Sequence, residues 1–113
     1  MARITGYFRV EEVEGLSREG RACVRLLEPL RYHVGAEDSL EVITVPAGFV
    51  TDFASVPLGL RNTCPPLGRW ARAAILHDYI YDQGGKLPGK TYTRAEADGI
   101  FREAMEVLGV PAW

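Results

Sequence analysis

The sequence lacks the features that mark several protein classes. No stretch approaches the roughly 20 apolar residues of a membrane-spanning helix, and the opening Met-Ala-Arg-Ile-Thr-Gly-Tyr-Phe holds no signal-peptide core. No block of Lys and Arg occurs, the formal net charge is -2 and the pI is near 5.7, so nucleic acid is not an expected partner. We expect a protein made in a cytoplasm without a simple export signal, which could still leave inside a larger particle.

Cysteine is also scarce. The 113 residues hold two, Cys23 and Cys64, far apart along the chain. In a chain of this size such a pair is more often two free thiols than a disulfide. The hydrophobic share of 47% and charged share of 25% are ordinary for a folded protein, and this length can bury a core without disulfides. We therefore expect a single domain over residues 1–113.

The first half of the chain carries strand patterns. Apolar and β-branched residues cluster in one segment, and apolar and polar residues alternate in others. Strands are predicted at residues 8–13, 21–28, 30–34 and 40–45. The polar, Gly-containing stretch between the last two reads as a hairpin loop. The fold class predicted is α+β: a small N-terminal antiparallel β-sheet, with residues 1–57 mainly strand and loop, followed by two antiparallel α-helices.

The second half predicts a helical hairpin over residues 66–109. The first helix is expected to begin near Pro66 and to end at about Asp82 or Gln83, before a pair of glycines. A polar loop follows it. The second helix opens with the capping-box pair of Thr93 and Glu96. Because the connection is short, the two helices should be antiparallel neighbours.

Titratable side chains lie among apolar ones on both predicted helices. His77 shares an apolar face with Tyr81, and antiparallel packing would bring Asp98 of the second helix within their reach. An imidazole held by a carboxylate can act as a general base near pH 7, and Tyr81 could donate to the same carboxylate. Asp78 is rotated by about 100° toward a more open flank, where it could bind a hard cation such as Ca²⁺.

A structural interpretation fits the same residues. His77, Asp98 and Tyr81 could form a buried hydrogen-bonded network that fixes the packing of the helices. Asp98 could instead pair with Arg94 or Arg102, each one turn away. Asp78 could simply be solvated. The residue types alone do not decide between a reaction centre and a structural network.

Asp52 adds a further carboxylate outside the helices. It lies in the segment Thr-Asp-Phe-Ala-Ser that follows a predicted turn. Its side chain could bond local backbone in a tight turn. Alternatively, Asp52 could face the His77 pocket, either as an additional metal ligand or as a second carboxylate that orients the histidine.

Two short motifs then match a known catalytic core. The first helix reads Ala-Ala-x-x-His-Asp-x-x-Tyr over residues 73–81, and the second reads Ala-Asp-x-x-Phe over residues 97–101. This order resembles phospholipase A2, above all the version in parvoviral capsid proteins, over about residues 70–105. The resemblance implies a phospholipid esterase in which His77 activates water, Asp78 binds Ca²⁺, and Asp98 and Tyr81 hold the histidine. The glycine-rich, calcium-binding loop of that family has no clear Gly-x-Gly counterpart here.

A second resemblance covers more of the chain, about residues 25–111. The segments Val-Pro-Ala-Gly-Phe-Val-Thr-Asp-Phe-Ala-Ser-Val-Pro, Leu-His-Asp-Tyr-Ile-Tyr and Ala-Asp-Gly-Ile-Phe are similar to a family of small phage and prophage proteins catalogued as a domain of unknown function. This resemblance implies a phage origin and synthesis in the host cytoplasm, and the protein could be incorporated in the virion. An enzyme would act on phospholipid or another cell-envelope substrate. A non-enzymatic virion or tail-assembly protein would bind other phage structural proteins.

Overall fold

The computed structural model describes residues 4–5, 9–18, 21–51 and 70–109 of the chain. The chain divides into two compact units, Met1–Ala54 and Ser55–Trp113. Small antiparallel sheets are followed by two helices, so the predicted α+β class is confirmed. Within the described ranges, neither helix is long and apolar enough to cross a membrane. The single domain expected over the whole chain stays a prediction.

The first unit contains strands arranged in two three-stranded antiparallel sheets. The described strands are β1 (Ile4–Thr5), β2 (Val10–Arg18), β3 (Arg21–Leu26), β4 (Leu30–His33), β5 (Val42–Val45) and β6 (Val50–Thr51). One sheet has the order β1-β4-β5 and the other β2-β3-β6. The sequence predicted one sheet, whereas the structure has two. The division occurs because β3 and β4, on either side of Pro29, pair with different strands.

The pairing of β4 with β5 shows how the alternating pattern builds the core of this unit. Leu30 lies opposite Val45 and Tyr32 opposite Ile43, and all four side chains are buried. Successive residues of a strand point to opposite faces, so the intervening residues are left toward solvent. In the neighbouring sheet Cys23 of β3 is buried and carries no disulfide; Cys64 lies outside the described residues.

The second unit contains the predicted helical hairpin. Helix α1 spans Ala71–Asp82 and helix α2 spans Arg94–Val107, and the two pack against each other. The predicted end of α1 is confirmed, with Gln83 as its C-cap. The start expected near Pro66 lies outside the described residues. Helix α2 buries a stripe with helical spacing, while the buried residues of α1 cover most of its circumference.

A small β-hairpin joins the helices where a polar loop was expected. Its strands are β7 (Lys86–Leu87) and β8 (Lys90–Thr91). Pro88 and Gly89 form the tip, and Gly89 has a φ of 85°, which is the arrangement that a type II turn requires. Gly85 closes the base, since its N–H donates to the Ile80 carbonyl and its carbonyl accepts from the Tyr92 N–H.

The capping box at the start of α2 is confirmed. The Thr93 hydroxyl accepts from the Glu96 N–H at 3.1 Å, and the Glu96 carboxylate accepts from the Thr93 N–H at 3.0 Å. These bonds satisfy two amides that a helix start otherwise leaves without partners. The bond from the Thr93 backbone also lowers the pKa of the Glu96 carboxyl.

A Thr93→Ala substitution should lower the free energy of unfolding by about 1 kcal/mol, because the alanine methyl cannot accept the Glu96 N–H. Urea denaturation followed by circular dichroism measures the loss. The Thr93→Ser variant keeps the hydroxyl and should retain most of the wild-type stability. Equal losses in the two variants would contradict the hydrogen-bonding role of this side chain.

Candidate functional site

The two helices bring His77 and Asp98 into direct contact. The Nε2 atom of His77, on α1, lies 2.7 Å from the Oδ1 atom of Asp98, on α2. An ionised carboxylate only accepts hydrogen bonds, so Nε2 carries the shared proton. In the neutral imidazole, the basic lone pair then lies on Nδ1. The sequence placed these two residues within reach of each other, and the structure pairs them.

Tyr81 completes the group that the sequence singled out. Its hydroxyl donates to the same Oδ1 atom of Asp98 at 3.1 Å, and its ring centroid lies 4.5 Å from that of His77. Burial raises the pKa of the Tyr81 hydroxyl, and its hydrogen bond to Asp98 raises that pKa further. We refer to His77, Asp98 and Tyr81 together as the triad.

The three members of the triad differ in their access to solvent. The His77 side chain is 2% exposed, whereas that of Asp98 is 48% exposed. The ring of Phe101 lies beside the imidazole, with centroids 4.9 Å apart and planes tilted by 39°. Asp98 therefore turns one side toward water and the other toward a buried histidine. The carboxylate can be hydrated, and the imidazole N–H depends on it for an acceptor.

The alternative partners predicted for Asp98 are not used. Arg94 lies one turn before Asp98 on α2 and Arg102 one turn after it, yet in the described part of the chain no ion pair joins either one to that carboxylate. The oxygen of Asp98 is directed instead across the helix pair, toward α1. Among the described residues, the partner of Asp98 in an ion pair is therefore His77.

The raised pKa of Tyr81 should make stability depend on pH. The folded state holds the phenolic proton more tightly than the unfolded chain, whose tyrosine titrates near 10.0. This contribution is therefore fully present below pH 10 and is lost as the pH rises through the folded pKa. Unfolding of the wild type and of Tyr81→Phe between pH 8 and 11 should show a steeper loss in the wild type; parallel curves would contradict the expectation.

Asp78 follows His77 on α1 and is half-buried. Among the described residues, no group of three or more His, Cys, Asp or Glu side chains is placed to hold a metal ion. Ca²⁺ usually takes six to eight oxygen ligands, which include backbone carbonyls as well as carboxylates. Asp52, proposed from the sequence as an additional ligand or orienting carboxylate, lies outside the described residues.

A pocket that the sequence did not reveal lies beside the triad, at the end of the helical hairpin. Its lining includes Tyr81 from α1, Tyr92 from the connection and Arg94 from α2. The sequence did contain a signal for this pocket, because the Pro88-Gly89 pair predicts the turn that brings Tyr92 back toward α1. The prediction of a plain polar loop over residues 84–92 did not include this turn.

Comparison with known proteins leads to one family. No curated protein matches the chain, and no solved structure does. A family model described as a protein of unknown function (DUF1353) matches residues 24–113. That range contains the triad, both helices and the strands from β4 onward. The resemblance to a domain of unknown function is thereby confirmed, and the chain belongs to the DUF1353 family of proteins of unknown function.

Proposed function

We propose that the helical hairpin carries a hydrolytic site of the phospholipase A2 type, with His77 as its general base. The observation that supports this is the 2.7 Å contact between Nε2 of His77 and Asp98. A carboxylate in that position fixes the tautomer and the orientation of the ring, and it stabilises the imidazolium that forms when the base takes a proton. The hydrogen bond from Tyr81 holds the carboxylate in turn.

The proposed reaction is hydrolysis of a phospholipid ester. The imidazole of His77 takes a proton from water while the water oxygen attacks the ester carbonyl carbon. The tetrahedral intermediate then collapses, the bond to the leaving alcohol oxygen breaks, and the imidazolium returns the proton to that oxygen. The products are a fatty acid and an alcohol, and no oxidant or second substrate is needed. Asp98 and Tyr81 act as positioning residues.

We assign Asp78 as the protein carboxylate that would hold Ca²⁺. Bound calcium would supply an electrophile for the ester carbonyl and its oxyanion. The support is the position of Asp78 directly after His77 on α1 together with its partial exposure.

Calcium titration of the full chain tests this function, with thermal melting and fatty-acid release from phosphatidylglycerol vesicles as readouts. We expect a saturable rise in Tm and calcium-dependent release, both lost in Asp78→Asn. Asp82→Asn removes an exposed acid one turn further along α1 and should behave as wild type. No shift and no release at millimolar calcium would overturn the proposal.

The burial of His77 favours a second candidate function. An imidazole that is 2% exposed and enclosed by two aromatic rings has the environment of a structural network. In that case the triad fixes one packing of α1 on α2, and the protein is a non-enzymatic virion or tail-assembly component. The variants that separate the two functions are described in the Discussion.

For either function we propose a phage origin and synthesis in the host cytoplasm. The support is the resemblance of the three segments quoted in the sequence analysis to small phage and prophage proteins. The enzymatic function implies phospholipid or another cell-envelope component as the substrate. The structural function implies other phage structural proteins as partners and a place in the virion. Mass spectrometry of purified particles would test the latter.

A further inference from the structure

The pocket at the end of the helical hairpin has a volume of about 230 Å³ and is lined entirely by described residues of the second unit. Ile80 and Tyr81 contribute from the last turns of α1, and Arg94 and Ala97 from the first turn of α2. Tyr92 supplies a second aromatic side chain. The lining therefore combines two aromatic residues, aliphatic residues and one arginine.

The charges around this pocket leave Arg94 available. Of the two nearest carboxylates on α2, Asp98 accepts from His77 and Tyr81. Glu96 accepts from the Thr93 N–H and lies 3.5 Å from the Lys90 ammonium. Within the described ranges, no carboxylate forms an ion pair with Arg94. Arg94 is therefore a cationic residue of the lining that has no ion pair with a described carboxylate.

We propose that this pocket binds a small organic oxyanion, a phosphate or carboxylate carried on a ring-sized apolar group. The guanidinium of Arg94 would bind the oxyanion through paired N–H donors. Tyr81 would pack against the apolar group, and Tyr92, whose ring lies 4.8 Å from the Lys90 ammonium, would complete the wall of the pocket. Pockets for drug-sized ligands measure about 300–1,000 Å³, so this smaller one fits a molecule with a single ring and not a whole phospholipid.

The start of α2 is not what binds the anion in this proposal. The Thr93 and Glu96 amides at that end are already bonded within the capping box. In this proposal the binding energy comes instead from Arg94 and from contact with the aromatic residues of the lining. The site also does not require His77 to be catalytic, because it adjoins the triad only through Tyr81.

Titration of the ¹⁵N-labelled full chain with phenyl phosphate, followed by NMR, tests the proposal. We expect saturable shifts at the amides of Gly84, Gly85 and Tyr92, and binding at least about tenfold weaker in Arg94→Gln, since a charge-assisted bond contributes on that scale. The control Arg102→Gln removes an exposed arginine further along α2, outside the lining, and should leave binding unchanged.

Two reference ligands test the two halves of the proposed chemistry. Phenol keeps the ring without the oxyanion, and inorganic phosphate keeps the oxyanion without the ring; both should bind more weakly than phenyl phosphate. Small ligands often bind with dissociation constants of about 1 mM, so the titration runs to about 10 mM phenyl phosphate. The absence of a saturable shift in that range would overturn the proposal. So would binding of phenol or inorganic phosphate as tight as that of phenyl phosphate, or unchanged binding by Arg94→Gln.

Discussion

An Asp98→Asn variant is expected to lose about 10²–10⁴-fold in the rate of phospholipid ester hydrolysis while remaining folded. The amide has the size of the carboxylate, and its oxygen can still accept the proton on Nε2 of His77. It carries no negative charge, however, so it cannot stabilise the imidazolium that forms as water is deprotonated. It can also donate to Nε2 and thereby select the wrong tautomer. Fatty-acid release from calcium-containing vesicle suspensions measures the effect.

The matched control for this experiment is Asp82→Asn. Asp82 ends α1, is exposed and accepts from the neighbouring Gln83 side chain at 3.1 Å, so the substitution removes the same charge from a residue outside the triad. Its activity should equal that of the wild type. An Asp98→Asn enzyme as fast as the wild type would contradict the hydrolytic proposal. A wild type without hydrolysis, with a folded and less stable Asp98→Ala variant, would favour the structural function.

A His77→Ala variant is expected to lose about 2–4 kcal/mol of unfolding free energy, on the scale of other buried large-to-small substitutions. The imidazole is 2% exposed, and it packs against the rings of Tyr81 and Phe101. Its removal leaves a cavity among these side chains. The carboxylate of Asp98 contributes little to the loss, because it is 48% exposed and water can replace the lost donor.

The other histidine of the chain provides the comparison for this measurement. His33 on β4 is half-buried, and its Nδ1 lies 3.2 Å from the Ser39 carbonyl oxygen. His33→Ala should therefore cost less, about 1 kcal/mol on the scale of hydrogen bonding at a partly hydrated position. Urea denaturation of both variants measures the difference. A His77→Ala protein as stable as His33→Ala would contradict the enclosure of the imidazole by aromatic rings.

The parts of the fold that the sequence predicted depend on short-range signals. The helix period places Tyr81 one turn after His77, and the capping box sets where α2 begins. A short connection then forces the helices to be antiparallel, which leaves Asp98 opposite His77. These constraints are local and cumulative, so the triad could be anticipated as a set of contacts before its geometry was known.

Other features depend on tertiary contacts that no local pattern encodes. The strands β1 (Ile4–Thr5) and β6 (Val50–Thr51) are two residues long and exist because a neighbouring strand pairs with them. The sequence also could not assign the exposures within the triad. His77 was expected on an apolar face, but the extent of its enclosure depends on tertiary packing, which leaves its side chain 2% exposed and that of Asp98 48% exposed.

Gly85 limits how the length of this chain can change. A Cβ atom at that position would overlap the carbonyl oxygen of Tyr92, and the φ of 80° already disfavours any other residue. Deletions between residues 85 and 92 would break the paired contacts at the base of the hairpin and shift α2 relative to α1. Within the β-hairpin, insertions should be tolerated only at the Pro88-Gly89 tip. The number of residues between His77 and Asp98 can therefore increase at that tip.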